Sequence, residues 1–240
     1  MTPPRQLSPR ALAKAAAACV LLVFAAILFI DRPVVAYVHA ALGSANPNFD
    51  ALTHIVDPIP VAAGLIIAWA GIAALCGVRP GPHGRTALRI AVAVLIAIAV
   101  KEQLKVLAGR TWAETWTNNN PSYIKDGVFG FFPLKGLWSG GRAYHSFPSG
   151  HMTAVSVASV SLALSFPRGR WLAPIPIALV AVGMIGANYH WVSDLIAGTA
   201  LGSAVALAAH RLGTPHFPFA RTETIGPAGH SSPERPAEGA

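Results

Sequence analysis

The stretch Ile59-Pro-Val-Ala-Ala-Gly-Leu-Ile-Ile-Ala-Trp-Ala-Gly-Ile-Ala-Ala-Leu-Cys-Gly-Val78 contains no charged side chain, with Asp57 on one flank and Arg79 on the other. A helix needs about 20 largely apolar residues to cross a bilayer, and this run meets that length. Five further apolar runs lie near 14–30, 88–107, 151–166, 171–188 and 191–209. The first and last of these are as clear as 59–78. The run at 88–107 carries Lys101, Glu102 and Lys105 in its last two turns, and the run at 151–166 is short. The expected fold is all-α: a polytopic membrane bundle of six transmembrane helices over residues 14–211.

Composition agrees, since 53% of the 240 residues are hydrophobic and 12% charged, outside the range of ordinary soluble domains. The net charge of +8 could suggest nucleic acid, but its placement points elsewhere. Arg5, Arg10 and Lys14 precede the first run. Arg79, Arg85 and Arg89 separate the second and third, Arg168 and Arg170 the fourth and fifth, and Arg211 follows the sixth. In a six-span chain all of these share one side, while Asp31, Asp50, Asp57, Glu114 and Asp126 fall on the other. The positive-inside rule then puts both termini, including residues 1–13, in the cytoplasm, and turns the loop 108–150 outward. Asp31-Arg32-Pro33 reads as the end of a retained first span, with a cleaved signal peptide as the alternative. Cys19 and Cys76 lie within spans, which indicates neither a disulfide framework nor a zinc site. Residues 212–240 read as a disordered tail.

Polar groups beside a bilayer are costly and usually functional. Asn188-Tyr-His-Trp-Val-Ser-Asp194 places His190 and Asp194 four residues apart, on one helical face. The carboxylate can fix the imidazole tautomer and leave the other nitrogen as a nucleophile. An interfacial histidine beside a carboxylate favoured by the helix dipole is the alternative. Ser146-Phe-Pro-Ser-Gly-His151 precedes the fourth run. Its helix start would leave the amides of Ser149, Gly150 and His151 free to cradle an anion, with His151 alongside as a proton donor. Lys105 and Arg110 lie where the third run ends and can neutralise phosphoryl oxygens.

The segments Lys105…Gly109-Arg110, Ser146-Phe-Pro-Ser-Gly-His151 and His190-x-x-x-Asp194-x-x-x-Gly198 together resemble the type 2 phosphatidic acid phosphatase superfamily, which also includes bacterial acid phosphatases and vanadium haloperoxidases. The resemblance covers about residues 88 to 205. It implies that His190 is a nucleophile forming a phosphohistidine, that Asp194 orients it, and that His151 protonates the leaving oxygen and then activates water. It also implies that Lys105, Ser149 and Gly150 bind phosphoryl oxygens, with no metal or other cofactor.

Two of the three signatures depart from the family pattern. The first signature has Arg-Pro where this chain has Trp112 and Ala113. The third opens with Ser-Arg, where Gly183 and Met184 stand. A charge-assisted contact is worth about 1.5–3 kcal/mol, so two unreplaced losses would cost several decades of rate. Arg110 is the nearest substitute and is counted here among the substrate-binding residues; Arg142, Lys125, Lys135 and Asn188 are others. Trp112, Trp116 and Trp191 read as interface anchors, with pocket lining the alternative, and Glu114 as a solvated or arginine-paired loop residue.

The expected activity is metal-independent hydrolysis of a membrane lipid phosphomonoester or pyrophosphate, with no nucleic-acid partner. The expected location is a bacterial inner membrane with the site facing the periplasm or exterior. A phosphotransferase using the same intermediate is one alternative, and a catalytically degenerate membrane protein that binds anionic lipid is another.

Overall fold

A computed structural model describes residues 8–116, 119–138 and 141–212; the tail expected at 212–240 lies outside them except for its first residue. The described residues form helices and turns with no strand. Six helical stretches dominate: α1 (Pro9–Leu42), α2 (Pro47–Leu75), α3 (Pro82–Ala108), α4 (Gly150–Ser165), α5 (Pro167–Gly186) and α6 (Val192–Leu212). Four of them, α1, α2, α5 and α6, are long and apolar enough to cross a membrane.

Local chemistry explains where these helices begin. Proline opens the first turn of α1, α2, α3 and α5, where its missing N–H has no partner to lose. Ser8, Asn46 and Ser149 accept hydrogen bonds from first-turn amides of α1, α2 and α4.

The helix that carries the first apolar run does not stop at Asp31. The helix continues to Leu42 through a π-helical turn at Ala26–Ile30, in which the Asp31 N–H reaches back to the Ala26 carbonyl. A wide turn of this kind absorbs the donor missing at Pro33 and rotates the side chains that follow it. It leaves Asp31 fully buried, facing the bundle.

Large apolar side chains cover the helix exterior, and a few charged groups are buried inside. Leu21, Phe29, Leu65 and Leu75 are exposed, while Asp31, Arg110 and Asp194 are wholly buried. This distribution suits a hydrocarbon surrounding. Within the bundle, α4 and α6 form the closest pair. A Cβ on Gly198 would stand 2.5 Å from the Ser149 carbonyl, and one on Gly202 would stand 2.4 Å from that of Thr153. Two small residues a turn apart let the backbones approach, as at many membrane helix crossings. The crossing clamps the start of α4 against the start of α6, where the Ser149 N–H donates to the Asp194 carbonyl at 3.1 Å.

Gly202→Val should therefore lower the melting temperature in detergent, through overpacking worth about 1–3 kcal/mol. A lipid-facing Leu65→Val should leave it nearly unchanged.

Candidate active site

The site begins where α3 stops. Gly109 adopts φ +59 and lies so close to the Phe132 carbonyl that a Cβ would overlap it, at 1.7 Å. Glycine there ends the helix one residue after Ala108 and turns the chain inward. Arg110 consequently enters the interior, pairing with Phe131 and His145 through bridge contacts, and the Ser146 N–H donates to its carbonyl at 3.2 Å.

Arg110 joins two helices through their acids. One Nη donates to Asp31 at 2.6 Å, and the other reaches Asp194 and the Ser193 hydroxyl. Ser193 in turn binds Asp31 through both its hydroxyl and its N–H. Phe131, Trp191 and Phe129 pack around the guanidinium, with ring centroids 4.9, 5.1 and 5.5 Å away. Arg110 was expected to grip substrate, but both of its Nη groups are engaged by buried carboxylates, and it is absent from the lining of the cavity described below.

Asp194 passes this arrangement on to a histidine. Its second oxygen accepts from the Ser146 hydroxyl and lies 3.1 Å from His190 Nδ1. The turn carrying His190 is also held from outside, because Asn188, with φ +58, donates to Glu114 at 3.0 Å and to the Val35 carbonyl. Glu114 is neither solvated nor arginine-paired. It is buried, accepts from Ser44 and Asn188, and lies 3.0 Å from His39. Burial holds His190 below the ordinary histidine range, against the upward pull of Asp194.

A cavity of about 630 Å³ opens beside this ring. His190, His151, Lys105 and Gly150 line it together, so four of the residues singled out in the sequence share one space. Ser149 does not line it. Its amide is taken by Asp194, and its hydroxyl accepts from the Met152 N–H. That leaves the amides of Gly150 and His151 without a partner among the described residues. Arg142, one of the substitute cations offered by the sequence, also borders the cavity, as do Lys101, His145, Asp50, Asp57 and Tyr189, to which the sequence had assigned no site role. Lys101 could have been found from its position one turn before Lys105. His145 lies next to the quoted Ser146 segment.

The tryptophans divide. Trp112 is buried against His190, with centroids 5.0 Å apart, and its ring lies 5.4 Å from Lys105 Nζ. Trp116 also lines the cavity, and Trp191 is buried with its Nε1 donating to the Thr111 carbonyl at 2.8 Å. Trp112 and Trp191 are therefore interior groups rather than interface anchors. Among the described residues, no group of three or more His, Cys, Asp or Glu side chains is placed to hold a metal ion.

A histidine fixed by a buried carboxylate, a second histidine, a lysine and two free helix-start amides thus share one cavity. The family model described as the PAP2 superfamily matches residues 86–217, more than half of the chain, and the chain belongs to that superfamily. Among curated relatives, the lipid A 1-phosphatase of Rhizobium johnstonii is 42% identical over 92 residues, covering 35% of this chain and 33% of that protein. The lipid A 1-phosphatase of Rhizobium etli is 42% identical over 91 residues, with 34% coverage of each chain. The undecaprenyl-diphosphatase of Sulfolobus acidocaldarius is 42% identical over 60 residues, 25% of this chain and 29% of that one. The chain thus matches about a third of the length of these relatives. No solved structure matches it.

Removing Arg110 would strand two buried carboxylates, a loss of about 3–5 kcal/mol for a broken buried pair. Arg110→Met should therefore melt far below wild type in detergent, and Arg110→Met with Asp31→Asn should recover part of the loss. A wild-type melting point for Arg110→Met would contradict the buried network.

Proposed function

We propose that the chain is a lipid phosphatase that transfers a phosphoryl group to His190 and then to water. The observation that carries this reading is the seating of His190 on Asp194 in the cavity it shares with His151. The hydrogen bond at Nδ1 leaves Nε2 as the nucleophile. Nε2 attacks phosphorus and forms a P–N bond as the P–O bond to the lipid breaks. Protonated His151 gives its proton to the departing oxygen. Neutral His151 then takes a proton from water, whose oxygen attacks phosphorus, and the P–N bond breaks to release phosphate. Lys105 and the amides of Gly150 and His151 offset the charge on the phosphoryl oxygens. Arg110 acts at one remove, holding Asp194 in place.

The position of the cavity supports a lipid substrate. It lies where the end of α3 meets the starts of α4 and α6. Arg89, Ser165 and His210 come together at the opposite ends of the same helices. With six spans, that opposite end would carry the arginine-rich connections, and the positive-inside rule then supports both termini in the cytoplasm and the cavity outside. The α4 helix has 16 residues, about 24 Å of rise against a hydrocarbon core of about 30 Å. Its start would thus lie near headgroup depth, where a lipid phosphate is presented. The lipid A 1-phosphatase and undecaprenyl-diphosphatase relatives supply the two substrate classes to compare: a sugar-linked phosphate and a polyprenyl pyrophosphate.

Purified protein given lipid A, undecaprenyl diphosphate and phosphatidic acid should release phosphate from at least one of them, and His190→Ala should lower that rate by at least about 10³-fold. Equal rates for wild type and His190→Ala would exclude His190 as the nucleophile. The pH profile gives a separate check. His190 must be neutral to attack, and its protonation is depressed, so the acid-side fall of kcat/KM should centre below the ordinary histidine value of about 6.5. A fall centred above that value would contradict the buried neutral ring.

A further inference from the structure

The two family positions that lack arginine cannot supply a cation in any conformation. Met184 is wholly buried in the cluster of Val56, Met152, Val155 and Val180. Trp112 is wedged between Lys105 and His190. A different residue places a positive charge at the phosphoryl end of the cavity. Lys101 precedes Lys105 by one turn of α3, on the same face, and both line the cavity. Its side chain is only 13% exposed. A Cβ built on Gly150 would stand 3.2 Å from Lys101 Nζ, so the ammonium rests directly against the first residue of α4.

That location is electrostatically unfavourable for a lysine on its own. The start of α4 is the positive end of the helix dipole, where the amides of Gly150 and His151 lack partners. Lys105 borders the same space. Among the described residues the ammonium pairs with one acid, Glu102, whose side chain is half-exposed at 51%. Three positive features thus converge on one point: two ammonium groups and a helix N-terminus. An anion bound between them would relieve their mutual repulsion.

We infer that Lys101 is a phosphoryl-binding residue, gripping from α3 the oxygens that the amides of Gly150 and His151 approach from α4. It takes over charge neutralisation from the arginines absent at positions 112 and 184. This rests on the lipid-phosphatase reading for its role in turnover, but not for the binding of phosphate itself. Neutral substrates gain nothing from the arrangement; phosphomonoesters and inorganic phosphate share the group that it fits.

The test separates anion binding from chemistry. Trp112 and Trp116 border the cavity, so their fluorescence can follow titration of the full-length protein in detergent with inorganic phosphate. The His190→Ala background keeps chemistry out of the signal. Lys101→Met should raise the phosphate Kd about tenfold or more. Lys101→Arg should stay within about threefold of the parent, and Lys14→Met, far from the cavity, should match it. Turnover on phosphatidic acid micelles should show the same order in kcat/KM, with Lys101→Arg restoring most of what Lys101→Met loses. Parent-like phosphate affinity in Lys101→Met overturns the inference, and so does a parent that binds no phosphate. If phosphate binds with this dependence on Lys101 but no lipid phosphate is hydrolysed, the inference stands and the proposed activity falls.

Discussion

The site depends on one buried guanidinium shared between two carboxylates. Arg110 holds Asp31 of α1 and Asp194 of α6, with Ser193 bridging the same groups. Charges taken out of water cost several kcal/mol each unless they are paired and hydrogen-bonded. Here each of the two Nη groups has a carboxylate partner, and the guanidinium lies among the rings of Phe129, Phe131, Phe147 and Trp191. Once the loop residue Arg110 is in place, the relative positions of α1 and α6 are fixed, because any slip would expose unpaired charge to an apolar interior. The seating of His190 is thereby inherited from an interaction outside the cavity.

Backbone proximity carries that order the remaining distance. Gly198 and Gly202 let α6 lie against α4 so closely that the Asp194 carbonyl accepts the Ser149 amide. One residue therefore serves several partners: its side chain meets Arg110, His190 and Ser146, and its backbone holds the start of α4. The free amides of Gly150 and His151 and the ring of His190 are then rigid with respect to each other. Rigid placement of this kind lets electrostatic stabilisation act without reorganisation during the reaction.

Much of this was legible in the sequence, for physical reasons. Apolar runs at spanning length are an unambiguous signal, and all six reappear as helices, four of them long and apolar enough to cross a membrane. His190, Asp194, His151, Gly150 and Lys105 could be placed because local spacing sets their orientation relative to a helix end. What failed depended on long-range partners. Asp31 looked like a span terminus, since nothing near it in sequence reveals a π turn or an arginine 79 residues away. Arg110 looked like a substrate contact because only its distance from Lys105 was visible, whereas Gly109 turns it inward. Trp112 looked like an anchor because its neighbours in space, Lys105 and His190, come from other elements. Lys101 could be seen on the face of Lys105, but its approach to Gly150 becomes visible only once α3 meets α4.

The same network also bears on the charge state that the proposed chemistry needs. Two carboxylates against one guanidinium leave the Asp31–Arg110–Asp194 cluster with a net charge of −1 beside an imidazole that must stay neutral to attack. Without Arg110 the cluster would carry −2 at the same spot, and that field would favour the imidazolium, which has no lone pair to offer. Asp194 must be acidic enough to fix the tautomer of His190, yet not so exposed electrostatically that it draws a proton onto the ring. Arg110 takes one of its oxygens and leaves the other to His190 and Ser146. Together with burial of the ring, that division keeps His190 below the ordinary histidine range. An arginine retained in the interior can thus aid catalysis more by tempering an aspartate than by contacting phosphate.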